Sequence, residues 1–306
     1  MPFTNLPANS EVLKERPWRT LAEKIARGKQ LSPDEGLYLL RNADTHLLGR
    51  LADSVRRRLH PDNVAMFVLD ANPNYTNVCE TYCLFCAFYR TPKDEDKYTY
   101  TVDEMLHMMR KLNDAGATTV LLQGGHNPDL PLEYYTDLVR RTRDEIPGLH
   151  PHFFSASEVD EMAKVSDLST REVLQRLYDA GLRTMPGGGA EILSDRVRKK
   201  ISPLKIMSDD WIRIHREAHE TGIKTTCTMM FGHLEEDEDI IEHLERVRAL
   251  QNETGGFLAF IPWTFKPHNT VLERKVPDEV GGDRYLRVLA LSRIYLDNFT
   301  HVQGSW

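Results

Sequence analysis

The sequence has little cysteine and no long hydrophobic run. Four cysteines occur in 306 residues, which is too few for the disulfide framework of a small secreted protein. No apolar run approaches the roughly 18 residues that a membrane-spanning helix needs. The first residues, MPFTNLPANSEVLKERPW, contain no apolar segment of the kind found in secretory signals. We therefore expect a cytoplasmic protein with no membrane span.

Positive charge is also scarce. Lysine and arginine number 39, aspartate and glutamate number 46, and the formal net charge is −7. Nucleic-acid-binding proteins usually carry net positive charge or a basic stripe. The one dense basic run, residues 196–200, is short and more typical of a solvated helix face than of an anion site. We expect no nucleic-acid partner.

The chain divides into a helical start and a longer alternation of strands and helices. Residues 1–62 are predicted to form an N-terminal helical extension, and residues 63–306 a barrel domain. Alternating strands and helices predict a parallel sheet with right-handed crossovers. Polar residues just after the strands favour an α/β barrel of the TIM type over a flat sheet. Predicted strands occupy residues 65–71, 118–123, 152–155, 182–185, 224–231 and 256–262, and one more follows at 301–306. An eighth strand is lacking, so we expect the barrel to be incomplete at its C-terminal end.

Three of the four cysteines lie within eight residues, directly after the first predicted strand. Cys79, Cys83 and Cys86 have the spacing C-x3-C-x2-C. Thiolates are soft ligands that suit zinc or iron–sulfur clusters. Three thiolates leave a tetrahedral zinc ion one ligand short, whereas a four-iron cluster held by three cysteines keeps one iron open. A zinc site completed by His or Asp, and three free thiols, remain alternatives. Cys227 is predicted to be a buried thiol.

This spacing, with the aromatic Phe85 before the last cysteine, resembles the signature of the radical S-adenosylmethionine (SAM) enzymes. The resemblance implies a [4Fe–4S] cluster on the three cysteines and SAM bound to the open iron. It also implies cleavage of SAM to a 5′-deoxyadenosyl radical, with an electron supplied by a low-potential flavodoxin or ferredoxin. Phe85 is then a cofactor contact.

The loops after the second and third strands carry further candidates. Gln123, Gly124 and Gly125 follow the second strand, and Ser155 and Glu158 follow the third. By resemblance to radical SAM barrels, these residues are expected to contact SAM. A plain tight turn at the glycines and a helix N-cap at Ser155 are the alternatives.

The loops after the fourth and fifth strands complete the set. Three consecutive glycines centred on Gly188 cost backbone entropy and indicate a close backbone approach to a ligand. By the same resemblance, Glu191 contacts the ribose of SAM or transfers a proton, and Gly232 belongs to a degenerate element that runs along the adenine. His233, at a strand end, is a candidate proton acceptor near neutral pH.

Several longer runs resemble the radical SAM enzymes of the futalosine route to menaquinone, and the resemblance covers residues 20–306. The runs are residues 75–79, 85–90, 186–193, 195–203, 228–233 and 259–265. Met-Met-Phe at 229–231 and Ile-Pro-Trp-Thr-Phe at 261–265 resemble the members that cyclise dehypoxanthine futalosine more than those that make aminofutalosine.

The resemblance implies that the radical abstracts a ribose hydrogen of this small-molecule substrate. The sugar radical then closes a ring on the benzoate, with loss of a proton and an electron. His233 and Glu191 are the candidate bases. Aminofutalosine synthesis is the alternative activity. Because members of the family continue past residue 306, a truncated non-catalytic relative is the third hypothesis.

Overall fold

The computed structural model describes residues 16–62 and 64–305. Its first part consists of three helices, α1 (Arg16–Ala26), α2 (Pro33–Asn42) and α3 (Thr45–Leu59). The run Ser-Pro-Asp-Glu at 32–35 predicts a capping box with proline at the first helical position, and Ser32 and Glu35 form that reciprocal box at the start of α2. The sequence also predicts a helix over residues 12–27, and the start of that range lies outside the described residues.

Seven parallel strands form one sheet in which the strands lie in chain order. They are β1 (Asp70–Ala71), β2 (Thr119–Leu122), β3 (His150–Phe153), β4 (Thr184–Met185), β5 (Lys224–Phe231), β6 (Phe257–Thr264) and β7 (His301–Val302). The predicted α/β fold with a parallel sheet is confirmed. In the described residues β1 and β7 are the two edges, so the sheet is a curled, incomplete barrel.

Helices follow the strands and cover the outer face of the sheet. They are α4 (Val102–Asp114), α5 (Leu132–Glu145), α6 (Ala156–Ser166), α7 (Thr170–Ala180), α8 (Asp195–Ile201), α9 (Ser208–Thr221), α10 (Asp237–Thr254) and α11 (Gly282–Tyr295). The helix α8 contains the basic run 196–200, which the sequence predicts to be a solvated helix face, but Arg198 in that run is fully buried. None of the helices in the described residues combines the length and apolar character needed to cross a membrane.

The two faces of β5 are chemically different. The Thr225 hydroxyl hydrogen-bonds to His215 and His219 of α9, so this residue faces the outer helices. Side chains alternate along a strand, so Thr226 and Thr228 face the inside of the curled sheet. Both are only partly buried there, whereas Thr225 is fully buried.

The N-terminal helices pack on the last two helices of the barrel. The Arg287 guanidinium of α11 donates to the carbonyls of Ala43, at 2.6 Å, and Leu40, at 2.5 Å. The aromatic ring of Tyr295 lies so close to Gly36 that a Cβ there would overlap it. Residues 16–62 therefore form a continuous core with α10 and α11. A domain boundary at residue 62 stays a prediction.

Candidate active site

The three clustered cysteines lie on one irregular loop after β1. Cys79 and Cys83 are buried and Cys86 is partly exposed. The Thr81 hydroxyl lies 3.1 Å from Cys79 Sγ and 3.5 Å from Cys83 Sγ, so one hydroxyl reaches both sulfurs. The Cys86 amide donates to the Cys83 carbonyl at 3.1 Å, which turns the chain back towards the first two thiols.

The ends of this cysteine loop are tied together by backbone hydrogen bonds. The Cys79 amide donates to the Arg90 carbonyl at 3.0 Å, and the Arg90 amide donates to the Asn77 carbonyl at 2.7 Å. Tyr82 has a φ of 45°, a left-handed conformation that favours glycine. The loop is thus a fixed structure that accepts backbone strain between the first and second cysteines.

Glu158 joins three strand-to-helix loops from a fully enclosed position. Its Oε1 accepts from the Tyr75 hydroxyl at 2.8 Å and from the Gly124 amide at 3.0 Å. Its Oε2 accepts from the amide and hydroxyl of Ser155, at 2.7 and 2.6 Å. Ser155 is the N-cap of α6, so the capping alternative is confirmed. Contacts of Ser155 and Glu158 with SAM stay predictions.

The glycines after β2 and β4 let neighbouring loops approach one another. A Cβ at Gly124 would overlap the Tyr75 ring, and a Cβ at Gly188 would overlap the Gln123 amide. The Gly125 amide donates to the Thr76 carbonyl at 2.9 Å. The close approach predicted for these glycines therefore occurs between protein segments, and their contacts with SAM stay predictions.

Glu191 forms a buried ion pair that the sequence analysis missed. Its Oε1 lies 2.9 Å from Lys205 Nζ, and its Oε2 is buried without a hydrogen-bond partner. Burial is the largest single effect and lowers the pKa of Lys205, but Glu191 and Cys83 together outweigh it, so the pKa is raised and Lys205 stays charged. The Lys205 ammonium also lies 5.8 Å from the centre of the Phe85 ring. No spacing in the sequence marks Lys205, because its partner is distant in the chain.

Arg198 fixes the backbone on both sides of this pair. Its guanidinium is fully buried and donates to the carbonyls of Gly189 at 3.1 Å, Ile192 at 3.4 Å and Ile206 at 3.2 Å, and also to that of Ala190. These carbonyls flank Glu191 and Lys205. Burial lowers the pKa of Arg198.

His233 is enclosed in the tight turn that follows β5. Its Nε2 lies 3.1 Å from the Met230 carbonyl, and its Nδ1 accepts from the Leu234 amide at 2.7 Å. The carbonyl accepts only from a protonated Nε2 and the amide donates to a bare Nδ1, so these two contacts favour the tautomer with the proton on Nε2. The Glu235 Oε2 atom also lies 3.1 Å from Nδ1. Burial lowers the pKa of His233, and the carboxylate of Glu235 opposes that shift. The proposed role of His233 as a base stays a prediction, and in this structure both its nitrogens are occupied.

Gly232 lies in the turn that follows β5, and Cys227 lies within β5. Gly232 has a φ of 89° and its amide donates to Glu235 Oε1 at 2.6 Å, which closes the turn. A contact of Gly232 with adenine stays a prediction. Cys227 is a fully buried free thiol on the outer face of β5, as predicted, and burial raises its pKa well above the ordinary value.

Two family models match most of the barrel. The family model of the radical SAM superfamily matches residues 74–247, and that of the CofH/MqnC C-terminal region matches residues 254–306. The chain belongs to the radical SAM superfamily. This confirms the family identified from the cysteine motif and shows that the chain is an enzyme.

Two curated relatives of this radical SAM chain carry different names. It is 42% identical to aminodeoxyfutalosine synthase of Thermus thermophilus over 94% of this chain and 77% of that protein. It is 41% identical to cyclic dehypoxanthine futalosine synthase of Streptomyces coelicolor over 94% and 72%. The crystal structure of HydG, a maturase of the [FeFe]-hydrogenase, shares the fold with a TM-score of 0.75 at 16% identity, over 94% of this chain and 63% of that one.

The residues fit the cofactors of the superfamily, a [4Fe–4S] cluster and SAM. Within residues 16–62 and 64–305, no three Cys, His, Asp or Glu side chains converge as ligands of one ion. Cys79, Cys83 and Cys86 are the thiolate donors that a cluster would use, and the zinc alternative stays a hypothesis. Burial raises the pKa of the Cys83 thiol, and the Lys205 cation partly offsets this. The unpartnered Oε2 of Glu191 offers an acceptor to a hydroxyl-bearing ligand.

Proposed function

We propose that this radical SAM enzyme converts dehypoxanthine futalosine to cyclic dehypoxanthine futalosine in menaquinone biosynthesis. Cys79, Cys83 and Cys86 hold the [4Fe–4S] cluster. A flavodoxin or ferredoxin of low potential supplies the electron. When bound, the cluster and SAM supply a 5′-deoxyadenosyl radical that removes a hydrogen atom from the substrate.

The observation that carries this proposal is the inner face of the sheet near the carboxyl ends of its strands. Trp263 on β6 pairs with Met230 on β5, and Ile261 pairs with Thr228. Paired residues share a face, so Trp263 and Ile261 stand on the inner side with Thr226 and Thr228. Both are partly exposed there.

The opposite part of the inner face is polar. Leu121 pairs with His152, and Gln123, the first residue after β2, continues the alternation of Leu121 and lies on the same inner side. One side of the inner face is therefore apolar and aromatic, and the other carries hydroxyl, amide and imidazole groups. This arrangement suits a substrate with a benzoate ring at one end and a sugar at the other. Both futalosine reactions use aromatic compounds, but Trp263 belongs to the run by which the sequence resembles the cyclising enzymes.

This chain's own residues then have three tasks. The cysteine loop, fixed through Tyr75 and Glu158, holds the thiols in place. The Glu191–Lys205 pair, held by Arg198, presents a fixed carboxylate oxygen and a fixed cation next to that loop. The side chains on the inner face of the sheet contact and orient the substrate. They also displace water from it, which protects a reactive radical.

Aminodeoxyfutalosine synthesis is the second candidate. The chain is 42% identical to one such enzyme and 41% identical to a cyclising enzyme. Overall identity therefore does not separate the two reactions, and the side chains of the inner face carry the choice.

An anaerobic turnover assay tests the proposal. The reconstituted protein is mixed with dithionite, SAM and dehypoxanthine futalosine, and the products are followed by mass spectrometry. We expect a product lighter than the substrate by two hydrogens, with matching 5′-deoxyadenosine. Deoxyadenosine without this product would keep radical SAM chemistry but reopen the identity of the substrate.

Variants of Trp263 sharpen the assay. Trp263→Leu removes the aromatic surface, whereas Trp263→Phe keeps an aromatic ring at the same place. We expect the leucine variant to raise the KM for dehypoxanthine futalosine about 10-fold, since loss of an aromatic contact costs roughly 1 kcal/mol or more. The phenylalanine variant should stay close to wild type. Equal KM values for all three proteins would remove Trp263 from the substrate site.

A further inference from the structure

A row of four polar side chains crosses the inner face of the sheet. Thr184 Oγ1 lies 2.7 Å from His150 Nε2 and 2.8 Å from His152 Nδ1. His152 Nε2 lies 3.4 Å from Thr226 Oγ1. The row connects β3, β4 and β5, and neither the cysteine loop nor the ion pair of Glu191 and Lys205 uses it.

The atoms of this row allow one continuous direction of hydrogen bonding. The Gly187 amide donates to Thr226 Oγ1 at 2.9 Å. The Thr226 oxygen accepts that bond, and its own proton can be donated to His152 Nε2. With the His152 proton on Nδ1, His152 donates to Thr184, whose hydroxyl has His150 Nε2 at 2.7 Å and the Pro151 carbonyl at 3.5 Å as acceptors. In that tautomer the protons point the same way, from Thr226 to His150.

The two ends of the row open to different places. Thr226 lies beside Gly187, in the glycine-rich loop at the carboxyl ends of the strands, where the Thr228 hydroxyl also donates to the Gly187 carbonyl at 2.8 Å. His150 lies at the amino end of β3, is exposed, and lines a surface cavity of about 370 Å³ together with Thr118 and Arg183. The row thus links the side of the sheet where barrel active sites lie to solvent on the opposite side.

We propose that Thr226, His152, Thr184 and His150 form a relay that carries the proton released on ring closure out of the active site. The inference rests on the proposed function, in which rearomatisation breaks a ring C–H bond. The proton goes to Thr226 Oγ1 while the hydroxyl proton of Thr226 moves to His152 Nε2. The Nδ1 proton of His152 moves to Thr184, and the Thr184 proton moves to His150 Nε2 and then to water. The accompanying electron passes to a one-electron acceptor of the iron–sulfur or flavin class.

The surroundings of His152 suit transit rather than storage of a proton. Burial, with a smaller contribution from His150, lowers the pKa of His152 to about 3. An imidazole that resists holding a charge passes a proton on only when the proton on its other nitrogen leaves at the same time. The hydroxyls on either side of the ring allow that concerted movement.

Three variants at two neighbouring positions of β5 test the relay. Thr226→Val removes the relay hydroxyl at nearly constant volume, and Thr226→Ser restores a hydroxyl. Thr225→Val is the matched control, because it makes the same change one residue away on the outer face. We expect Thr226→Val to slow cyclic product formation about 10- to 100-fold, the lower part of the range for lost proton-transfer catalysis, and to leave SAM cleavage intact. Thr226→Ser should recover most of the product, and Thr225→Val should keep the wild-type ratio of deoxyadenosine to product.

A second measurement needs neither substrate nor cofactor. In protein with ¹⁵N-labelled histidine, NMR should show His152 protonated on Nδ1, and Thr226→Val should shift that tautomer towards Nε2. A His152 proton on Nε2 in the wild type would overturn the relay. Equal ratios of deoxyadenosine to cyclic product in Thr226→Val and Thr225→Val would overturn it as well. If wild type cleaves SAM but makes no cyclic product, the proposed function fails. The NMR result tests the hydrogen-bond direction of the row separately, and a His152 proton on Nε2 removes the relay whatever the turnover assay gives.

Discussion

Lys205 Nζ lies 2.9 Å from Glu191 Oε1 in a buried ion pair beside the cysteine loop. The side chains are 12% and 5% exposed, so water screens the pair only weakly. The second oxygen of Glu191 has no partner, although buried carboxylate oxygens are nearly always hydrogen-bonded. A fixed cation and a half-satisfied carboxylate at the carboxyl end of the sheet are the features expected where a polar ligand completes a site.

Breaking this pair should cost far more than breaking an exposed one. Lys205→Met leaves the Glu191 charge buried without compensation, and we expect the free energy of unfolding to fall by about 3–5 kcal/mol. Lys266→Met removes an exposed pair with Glu279 and should cost less than about 1 kcal/mol. Denaturant unfolding of the two cofactor-free variants measures the difference. Similar losses would mean that Glu191 is reached by solvent.

A double variant separates the lost charge from the lost packing. Glu191→Gln removes the charge that Lys205→Met leaves unpaired, so the double variant should regain most of the lost stability. It should nevertheless bind SAM more weakly than wild type, as measured by equilibrium binding. No recovery of stability would attribute the cost to the volume of the lysine side chain.

Local features of this fold follow from the sequence because they depend on neighbouring residues. The capping box at Ser32 and the bounds of strand 224–231 are observed as predicted. The predicted strand at 65–71 is wrong in length, since only Asp70–Ala71 pairs with β2. An apolar run forms a strand only where another strand pairs with it. Residues 66–69 are exposed, and the Leu69 carbonyl accepts from the Thr118 and Thr119 amides only at the point where the pairing begins.

For the site, the sequence predicts the spacing of the three cysteines but not the contacts between residues that are distant in the chain. The cysteine spacing lies within eight residues and is visible in the sequence. The partners of Glu158 and Glu191 are not, because Tyr75 lies 83 residues from Glu158 and Lys205 lies 14 residues from Glu191. For His152 the sequence predicts only a place in a strand. Its place in a row of side chains depends on the register of three strands, which no local pattern specifies.

Glu158 should matter to the cysteine loop as well as to its own helix. Glu158→Ala leaves the Tyr75 hydroxyl and the Gly124 and Ser155 amides without their buried acceptor, and we expect a loss of about 3 kcal/mol or more. Glu172→Ala is the matched control. It opens the same kind of capping box, with Ser169, on the exposed start of α7, and should cost about 1 kcal/mol. Glu158→Ala should also lower the iron content after reconstitution, whereas Glu172→Ala should not.

Replacing single cysteines should separate ligands from the buried thiol. Cys86→Ala is expected to lose most of the iron and sulfide bound on anaerobic reconstitution, because a [4Fe–4S] cluster on this loop needs all three thiolates. Cys227→Ala changes a fully buried thiol on the outer face of β5 and should bind as much iron as wild type. The cluster absorbance and the iron-to-protein ratio measure both. Retained iron in Cys86→Ala would remove Cys86 from the ligand set.

Acid should destabilise the fold through its buried neutral histidines. Burial lowers the pKa of His152 and of His243 from 6.5 to about 3. Above pH 6.5 both states of the protein carry neutral rings, so the shift has no effect. As the pH falls below 6.5, these histidines bind protons in the unfolded chain but stay neutral in the folded chain. The free energy of unfolding therefore decreases until about pH 3. Between pH 7 and 5 each histidine should contribute a loss of up to about 2 kcal/mol.

The free energy of unfolding measured against pH tests this prediction. His243→Gln should flatten the pH dependence, whereas His268→Gln changes an exposed side chain and should follow wild type. Parallel curves for His243→Gln and wild type would mean that His243 takes up its proton in the folded state.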